Sequence, residues 1–216
     1  MEALAVRSFE IAEYVGNRWD FFRNTWEGTR IAYNNAESNT WFKDAVRDRI
    51  VDSKGIICAY VHGELAGYVA YDVYHVFGIG KVLYIDIATC FVEYARQGVV
   101  SRLLRSFQGY DAYMLRTQNP NMADSMYQAF GECEPITGYS EEGRKVAEVL
   151  GKSWHDYNTD TMVCRGIYNH ECLTGEEIHG RHWFDRELYS RITPKNGDAI
   201  ILVAFSADRV PPQGRF

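Results

Sequence analysis

The stretch "VEYARQGVVSRLL", Val92 to Leu104, carries one glycine, Gly98, between a long apolar run and a short amphipathic one. Upstream, "KVLYIDIATCFV" (Lys81 to Val92) is rich in β-branched residues and almost wholly apolar. That pattern fits a central strand covered on both faces. Downstream, Val99, Leu103, Leu104 and Phe107 recur at helical spacing, so Gly98 to Phe107 reads as a helix with those four turned inward. Gly98 therefore opens a helix directly after the strongest strand. A glycine so placed has two readings. It is a simple strand-to-helix turn, or it lets successive backbone N–H groups converge on an anion where the helix dipole favours negative charge.

Outward from this turn the pattern alternates between strands and helices. "LAVRSF" (Leu4 to Phe9) reads as a short strand. From Glu10 to Asn35, the residues Ile11, Val15, Trp19, Phe22, Trp26 and Ile31 follow near-helical spacing, as one helix or two with a break near Gly28. Thr40 to Asp52 is a second helical stretch with Asn39 or Thr40 as its cap. "GIICAYVHGELAGYVAYDVYHV" reads as a hairpin turning at His62-Gly63-Glu64. After the glycine turn, "DAYMLRT" (Asp111 to Thr117) is a strand, and "NMADSMYQAF" (Asn121 to Phe130) is a helix that starts after an Asn-Pro pair. Ser140 to Leu150 is helical, and Thr161 to Tyr168 and Asp198 to Ser206 read as strands. Residues 169–196, polar and histidine-rich, are long for a structureless connection and read as a functional insertion. The closing "DRVPPQGRF" reads as a loose tail.

The composition sets limits on function. The chain has 216 residues, 46% of them hydrophobic, which suits one domain with a substantial core. The formal net charge is -6, and Arg96 to Arg105, the densest basic stretch, holds three arginines. Nucleic acid is therefore not expected as a partner. No window approaches the roughly 18 apolar residues of a membrane span, so no membrane partner is expected either. The N-terminus lacks the basic and apolar regions of a secretory signal. The five cysteines show no disulfide framework, so free thiols in the cytoplasm are the simplest reading.

The order strand, helices, hairpin, long strand, glycine turn, helix, strand, helix and strand resembles the GNAT superfamily of acyl-CoA N-acyltransferases. The resemblance covers roughly residues 1–135 and the last two strands, near 159–168 and 198–206. It implies a mixed, mostly antiparallel central sheet flanked by helices, an α/β (α+β) fold in a single domain over 1–216, with the insertion between the last two strands. In the family, a turn of the type Gln/Arg-x-x-Gly-x-Gly/Ala follows the fourth strand and holds the coenzyme A pyrophosphate. Gly98 matches the first glycine, Glu93-Tyr94 a frequent "EY" before it, and Leu103-Leu104 the paired leucines of the helix. Ala95 and Val100 depart from the pattern, with Arg96 adjacent to the first departure. A valine at 100 narrows the room for a phosphate and disfavours a positive φ.

The resemblance implies an acetyl-CoA donor substrate and direct attack by a primary amine of a small molecule or peptide. It places coenzyme A against Cys90, Phe91 and Val92 of the fourth strand, then Arg96, Gln97, Gly98, Val99, Val100 and Ser101, with Asn119 or Asn121 beyond. Tyr127 matches the tyrosine that protonates the leaving thiolate in many members, although a packing aromatic is the plain alternative. Asp86 is the acidic residue in an otherwise apolar strand. It is the candidate base, or a carboxylate satisfied structurally. Glu93 is a second candidate. Cys90 has no evident base and reads as a packing thiol.

The Cys164, His170, Cys172, His179 and His182 set has zinc-binding residue types but no Cys-x-x-Cys pair, so no metal is expected and a zinc module is only an alternative. A non-catalytic acyl-CoA binder is another. The resemblance also implies that the N-terminal helices and the insertion frame the acceptor. Both carry aromatics (Trp19, Phe21, Phe22, Trp26, Trp183, Phe184, Tyr189) and acids (Asp20, Glu27, Glu171, Glu176, Glu177, Asp185, Glu187). Acids near the acceptor would favour a cationic amine. A monomer and a homodimer are both compatible with the sequence.

Overall fold

The computed structural model describes residues 9–153, 156–174, 178–180 and 182–208. In chain order the elements are β1 (Glu10–Glu13), α1 (Arg18–Ala32), α2 (Thr40–Val51), β2 (Gly55–Val61), β3 (Glu64–Val76) and β4 (Gly80–Cys90). After a single 3-10 turn at Val92–Tyr94 come α3 (Val99–Ser106), β5 (Ala112–Thr117), α4 (Pro120–Phe130) and α5 (Glu141–Gly151). The chain closes with β6 (Tyr157–Asn158), β7 (Val163–Cys164), α6 (His182–Tyr189) and β8 (Ala199–Phe205). The strands form one sheet in the order β1-β2-β3-β4-β5-β8-β7-β6. Every pair is antiparallel except β4–β5. This is the mixed, mostly antiparallel sheet expected from the sequence.

Local chemistry accounts for most boundaries. The Asn17 side chain caps α1 by accepting from the Trp19 and Asp20 N–H groups, so the helix starts at Arg18. Ile11 instead lies in β1, an exposed edge strand, and Val15 is exposed in the connection. The strand expected at Leu4–Phe9 falls outside the described residues apart from Phe9. Gly28 does not break α1. A Cβ on Gly28 would lie 2.9 Å from the Phe91 ring, so its smallness serves close packing. Asn39 caps α2 and Ser140 caps α5. The β2–β3 turn holds His62 at φ 53° and Gly63 at φ 83°, the paired left-handed conformation of a two-residue hairpin turn. The strand expected over Thr161–Tyr168 shrinks to Val163–Cys164, because Met162 (φ 56°) and Gly166 (φ 61°) leave the extended conformation on either side.

Helices cover both faces of the sheet. On one face α3, α4 and α6 bury Leu83, Ile85, Leu103, Leu104, Leu115, Met126 and Leu188. On the other, α1 and α2 cover β2–β4 through Phe42, Val46, Ile50, Ile56 and Tyr68. There α5 covers β4, β5 and β8 through Val82, Met114, Val146 and Ile201. β4 is thus buried from both sides, as its unbroken apolar run requires. Among the described residues no helix is long and apolar enough to cross a membrane.

Candidate active site

The site begins with a change of register. β4 pairs with β3 from Gly80–Val76 to Cys90–Gly67, but the pairing jumps from Ile85–Tyr71 to Ile87–Ala70. Asp86 is therefore an extra residue, a β-bulge that re-aims side chains along the strand. On the other edge, β4 pairs with β5 only from Val82–Ala112 to Ile85–Leu115. Beyond that point β5 follows β8 as far as Thr117–Ile200. The two central strands part at the bulge, and a cleft of about 840 Å3 opens between them.

The open edge of β4 forms one wall of this cleft. The Phe91 N–H donates to the Ala66 carbonyl at 3.0 Å. Alternation along the strand then turns the polar groups of Ala88 and Cys90 toward the cleft. The Ala88 carbonyl accepts from the Tyr33 hydroxyl at 3.1 Å.

The glycine turn closes one end. Arg96 (φ 62°) and Gly98 (φ 73°) both adopt left-handed backbone, and α3 starts at Val99 with no side chain capping it. A Cβ on Gly98 would touch nothing within 4 Å, so the glycine is needed for its conformation and not for space. Val100 lies in regular helix, so no positive φ is demanded there, and the conformational objection to a valine disappears. The start of α3, whose first-turn amides have no side-chain cap, lies at the cleft end that Arg96, Gly98, Val99, Val100 and Ser101 line. Uncapped amides, helix dipole and a nearby guanidinium together suit an anion.

Of the residues singled out from the sequence for coenzyme A and catalysis, Asp86, Cys90, Arg96, Gly98, Val99, Val100, Ser101, Asn119 and Asn121 line this one cleft. Phe91, Val92 and Gln97 do not. Phe91 packs on Gly28 and against Tyr68, with ring centroids 6.4 Å apart. Val92 is half-exposed, and Gln97 donates to the Glu93 carbonyl. Asn119 caps α4 by accepting from the Asn121 N–H at 2.9 Å. Tyr127 lies outside the lining, 40% exposed, with its ring 5.8 Å from Phe184 of α6. Asn121, Asp124, Ser125 and Gln128 form the cleft face of α4, and a helix advances about 100° per residue, which turns position 127 away from them.

The bulge residue sits in a charged cluster. The Arg49 Nε of α2 is 3.2 Å from Asp86 Oδ1. Burial raises the Asp86 carboxyl above its ordinary value, while Arg49 and Arg116 pull it down. The Arg116 guanidinium lies 5.0 Å over the Tyr168 ring, and its Nε donates to the Tyr168 hydroxyl at 3.1 Å. Burial pushes the Cys90 thiol up to about 11, with Glu93 adding to the shift. A neutral thiol fits a packing role better than a nucleophile.

The stretch after β7 forms the remaining wall with Tyr168, Leu173, Thr174, His179 and Gly180. Buried Gln118 anchors it: its Nε2 donates to the Pro194 and Asp198 carbonyls (3.1 and 2.8 Å), and its Oε1 accepts from the Leu173 N–H (2.7 Å). Asn35 adds a bond to the Leu173 carbonyl at 3.0 Å. Sequence reasoning missed Gln118, Arg49, Arg116, Tyr33 and Tyr168. Arg116 did carry a signal, a lone charge inside the strand "AYMLRT", which is the feature that drew attention to Asp86.

Of the acids expected near an acceptor, the described ones lie outside the cleft lining. Asp20, Glu27, Glu171, Asp185 and Glu187 do not line the cleft, and Glu176 and Glu177 lie outside the described residues. None of the aromatics Trp19, Phe21, Phe22, Trp26, Trp183, Phe184 and Tyr189 lines it either. Among the described residues no three His, Cys, Asp or Glu side chains come together as a metal site.

No family model matches the chain, and no curated protein matches it. Several solved structures are similar at low identity. A conserved protein of unknown function from Enterococcus faecalis, described as a probable N-acyltransferase, is 11% identical with a TM-score of 0.43. That match covers 57% of this chain and 32% of the other, so the chain spans about a third of that protein's length. A ribosomal-protein alanine N-acetyltransferase from Escherichia coli is 13% identical with a TM-score of 0.47, covering 97% of this chain and 100% of that one. A GNAT family acetyltransferase from Brucella melitensis, in complex with acetyl-CoA, is 16% identical with a TM-score of 0.38, covering 50% and 75%. In its own strand order, in the parting of β4 from β5 at the bulge and in the glycine turn that follows β4, the chain has a GNAT-like fold.

Proposed function

We propose that the chain is an N-acyltransferase that moves an acetyl group from acetyl-CoA to a primary amine by direct attack. The observation that carries the reading is the union of two features in one cleft: the open edge of β4 and the uncapped start of α3 behind Gly98. The α3 amides and Arg96 would hold the pyrophosphate, and the pantetheine arm would lie along the cleft-facing edge of β4 at Ala88 and Cys90.

The amine nitrogen then attacks the thioester carbonyl carbon, a backbone N–H of β4 meets the oxyanion, and the carbon–sulfur bond breaks. Asp86 is the proposed acceptor of the amine's proton, its carboxyl raised toward the range where a base works. The thiolate, with an ordinary pKa of about 8.5, is a fair leaving group without a strong acid beside it. That is consistent with Tyr127 lying outside the cleft lining, and Ser125 is the hydroxyl of α4 on the cleft side.

The test is calorimetric binding of acetyl-CoA to wild type and to Val100→Asp. An acid in the first turn suits the α3 dipole but repels a phosphate. Binding in wild type that is lost in a variant with an unchanged melting point supports the cradle. An absence of binding in wild type would refute the reading.

A further inference from the structure

We propose that the acceptor is an amine whose remainder is apolar and uncharged, seated in the lobe of the cleft between α2 and β4. This rests on the acyltransferase reading and narrows its substrate. Tyr33, Phe42, Val46, Ile87 and Leu173 all line the cleft and pack in one apolar cluster on the α1–α2 face of the sheet. Phe42, Val46 and Arg49 follow one another at helical spacing on α2, so they form one stripe along the helix. That stripe is about 10 Å long. At one end Arg49 Nε reaches Asp86. At the other the Phe42 ring lies 5.4 Å from that of Tyr33, whose hydroxyl donates to the Ala88 carbonyl at 3.1 Å. The lobe therefore runs beside β4 from the Asp86 carboxylate to the open edge of the strand.

The walls select for apolar bulk and against charge. Phe42, Val46 and Ile87 are buried and form the floor. Tyr33 and Leu173 are half-buried and form the rim, with the Leu173 carbonyl held by the Asn35 side chain at 3.0 Å. Apolar surface that a guest removes from water here stabilises it in proportion to the area. A charged remainder meets the opposite conditions. Among the described residues the acids lining the cleft are Asp86 and Asp124. Asp86 is engaged by Arg49, and Asp124 lies on α4, which covers the other face of the sheet. The Arg49 and Arg116 guanidiniums line the cleft as well. A second ammonium in this lobe would lose hydration next to positive charge, a cost that a hydrocarbon chain does not bear. A carboxylate would have to compete with Asp86 for Arg49.

The experiment compares hexylamine, 1,5-diaminopentane and 6-aminohexanoate, which share one chain and differ at its end. Wild type should favour hexylamine over either charged analogue by about tenfold or more in kcat/KM. Shortening the chain to butylamine should cost about threefold per methylene. Leu173→Asp should shrink the preference over the diamine by raising KM for hexylamine, while acetyl-CoA binding stays as it was. Leu173→Asn reports the same loss if Leu173→Asp does not fold. Leucinamide and a tetrapeptide amide beginning with leucine are run beside them, and the better of the two identifies a free amine or a peptide N-terminus as the source of the apolar group. Equal or better use of a charged analogue would overturn this proposal and leave the acyltransferase reading standing. So would variants that slow all three amines alike, or acetyl-CoA binding with no transfer to any of these amines. Failure of wild type to bind acetyl-CoA would overturn both.

Discussion

Arg49 on α2 reaches Asp86 on β4, Nε to Oδ1 at 3.2 Å, and so pairs a guanidinium with the one β4 residue that has no register partner on β3. The bulge aims the carboxylate, and the helix supplies its counter-charge. Burial nevertheless keeps the carboxyl above its ordinary 3.8.

That balance sets a pH dependence. If Asp86 takes the amine's proton, kcat/KM rises with pH through the raised value rather than through 3.8. Arg49→Gln removes a group that lowers it, so the acid limb should move further up. Asp86→Asn should remove the limb and cut kcat by about a hundredfold. Stability runs the opposite way: a folded value above the unfolded one gives a contribution full below 3.8 and lost as pH rises through the raised value. A pH–rate profile with acid-range melts checks both.

Tyr127→Phe should change kcat by less than about threefold, since the hydroxyl lies off the cleft lining and a surface change of this kind is usually mild. A loss of about a hundredfold in single-turnover acetyl transfer would return the acid role to this tyrosine.

Gly28→Ala should destabilise the fold by about 1–3 kcal/mol, because the new methyl meets the Phe91 ring at 2.9 Å. Gly98→Ala should cost about 1–2 kcal/mol for a different reason: the added methyl has open space but the backbone sits at φ 73°. Denaturant midpoints distinguish these from neutral substitutions. Only the second should also weaken acetyl-CoA binding.

Gln118→Leu should strand the Leu173 N–H and loosen the Pro194 and Asp198 carbonyls, at about 1–3 kcal/mol. The wall formed by Leu173 and Thr174 should then slacken, raising KM for the acceptor while the acetyl-CoA Kd holds. Equal loss of both would show that Gln118 supports the whole cleft.

Much of the fold was legible in the residue pattern because its causes are local. The two-residue turn at His62-Gly63, the caps at Asn39 and Ser140, the apolar run of β4 and the helix behind Gly98 each follow from side chains a few positions apart. Asp86 stood out for the same reason, as one charge in an apolar strand. The lengths of β1 and β7 were not legible, because an exposed edge strand lacks alternation and Met162 and Gly166 bend the chain without a strong signal.

The sequence by itself determined the strand–turn–helix at Gly98, since backbone conformation and helix spacing are short-range properties. Only the tertiary structure decided which charges meet Asp86, which face of α4 looks into the cleft, and that Gln118 holds the wall at Leu173. Those depend on a one-residue shift of register and on contacts between segments as far apart as Gln118 and Asp198, which no local pattern encodes.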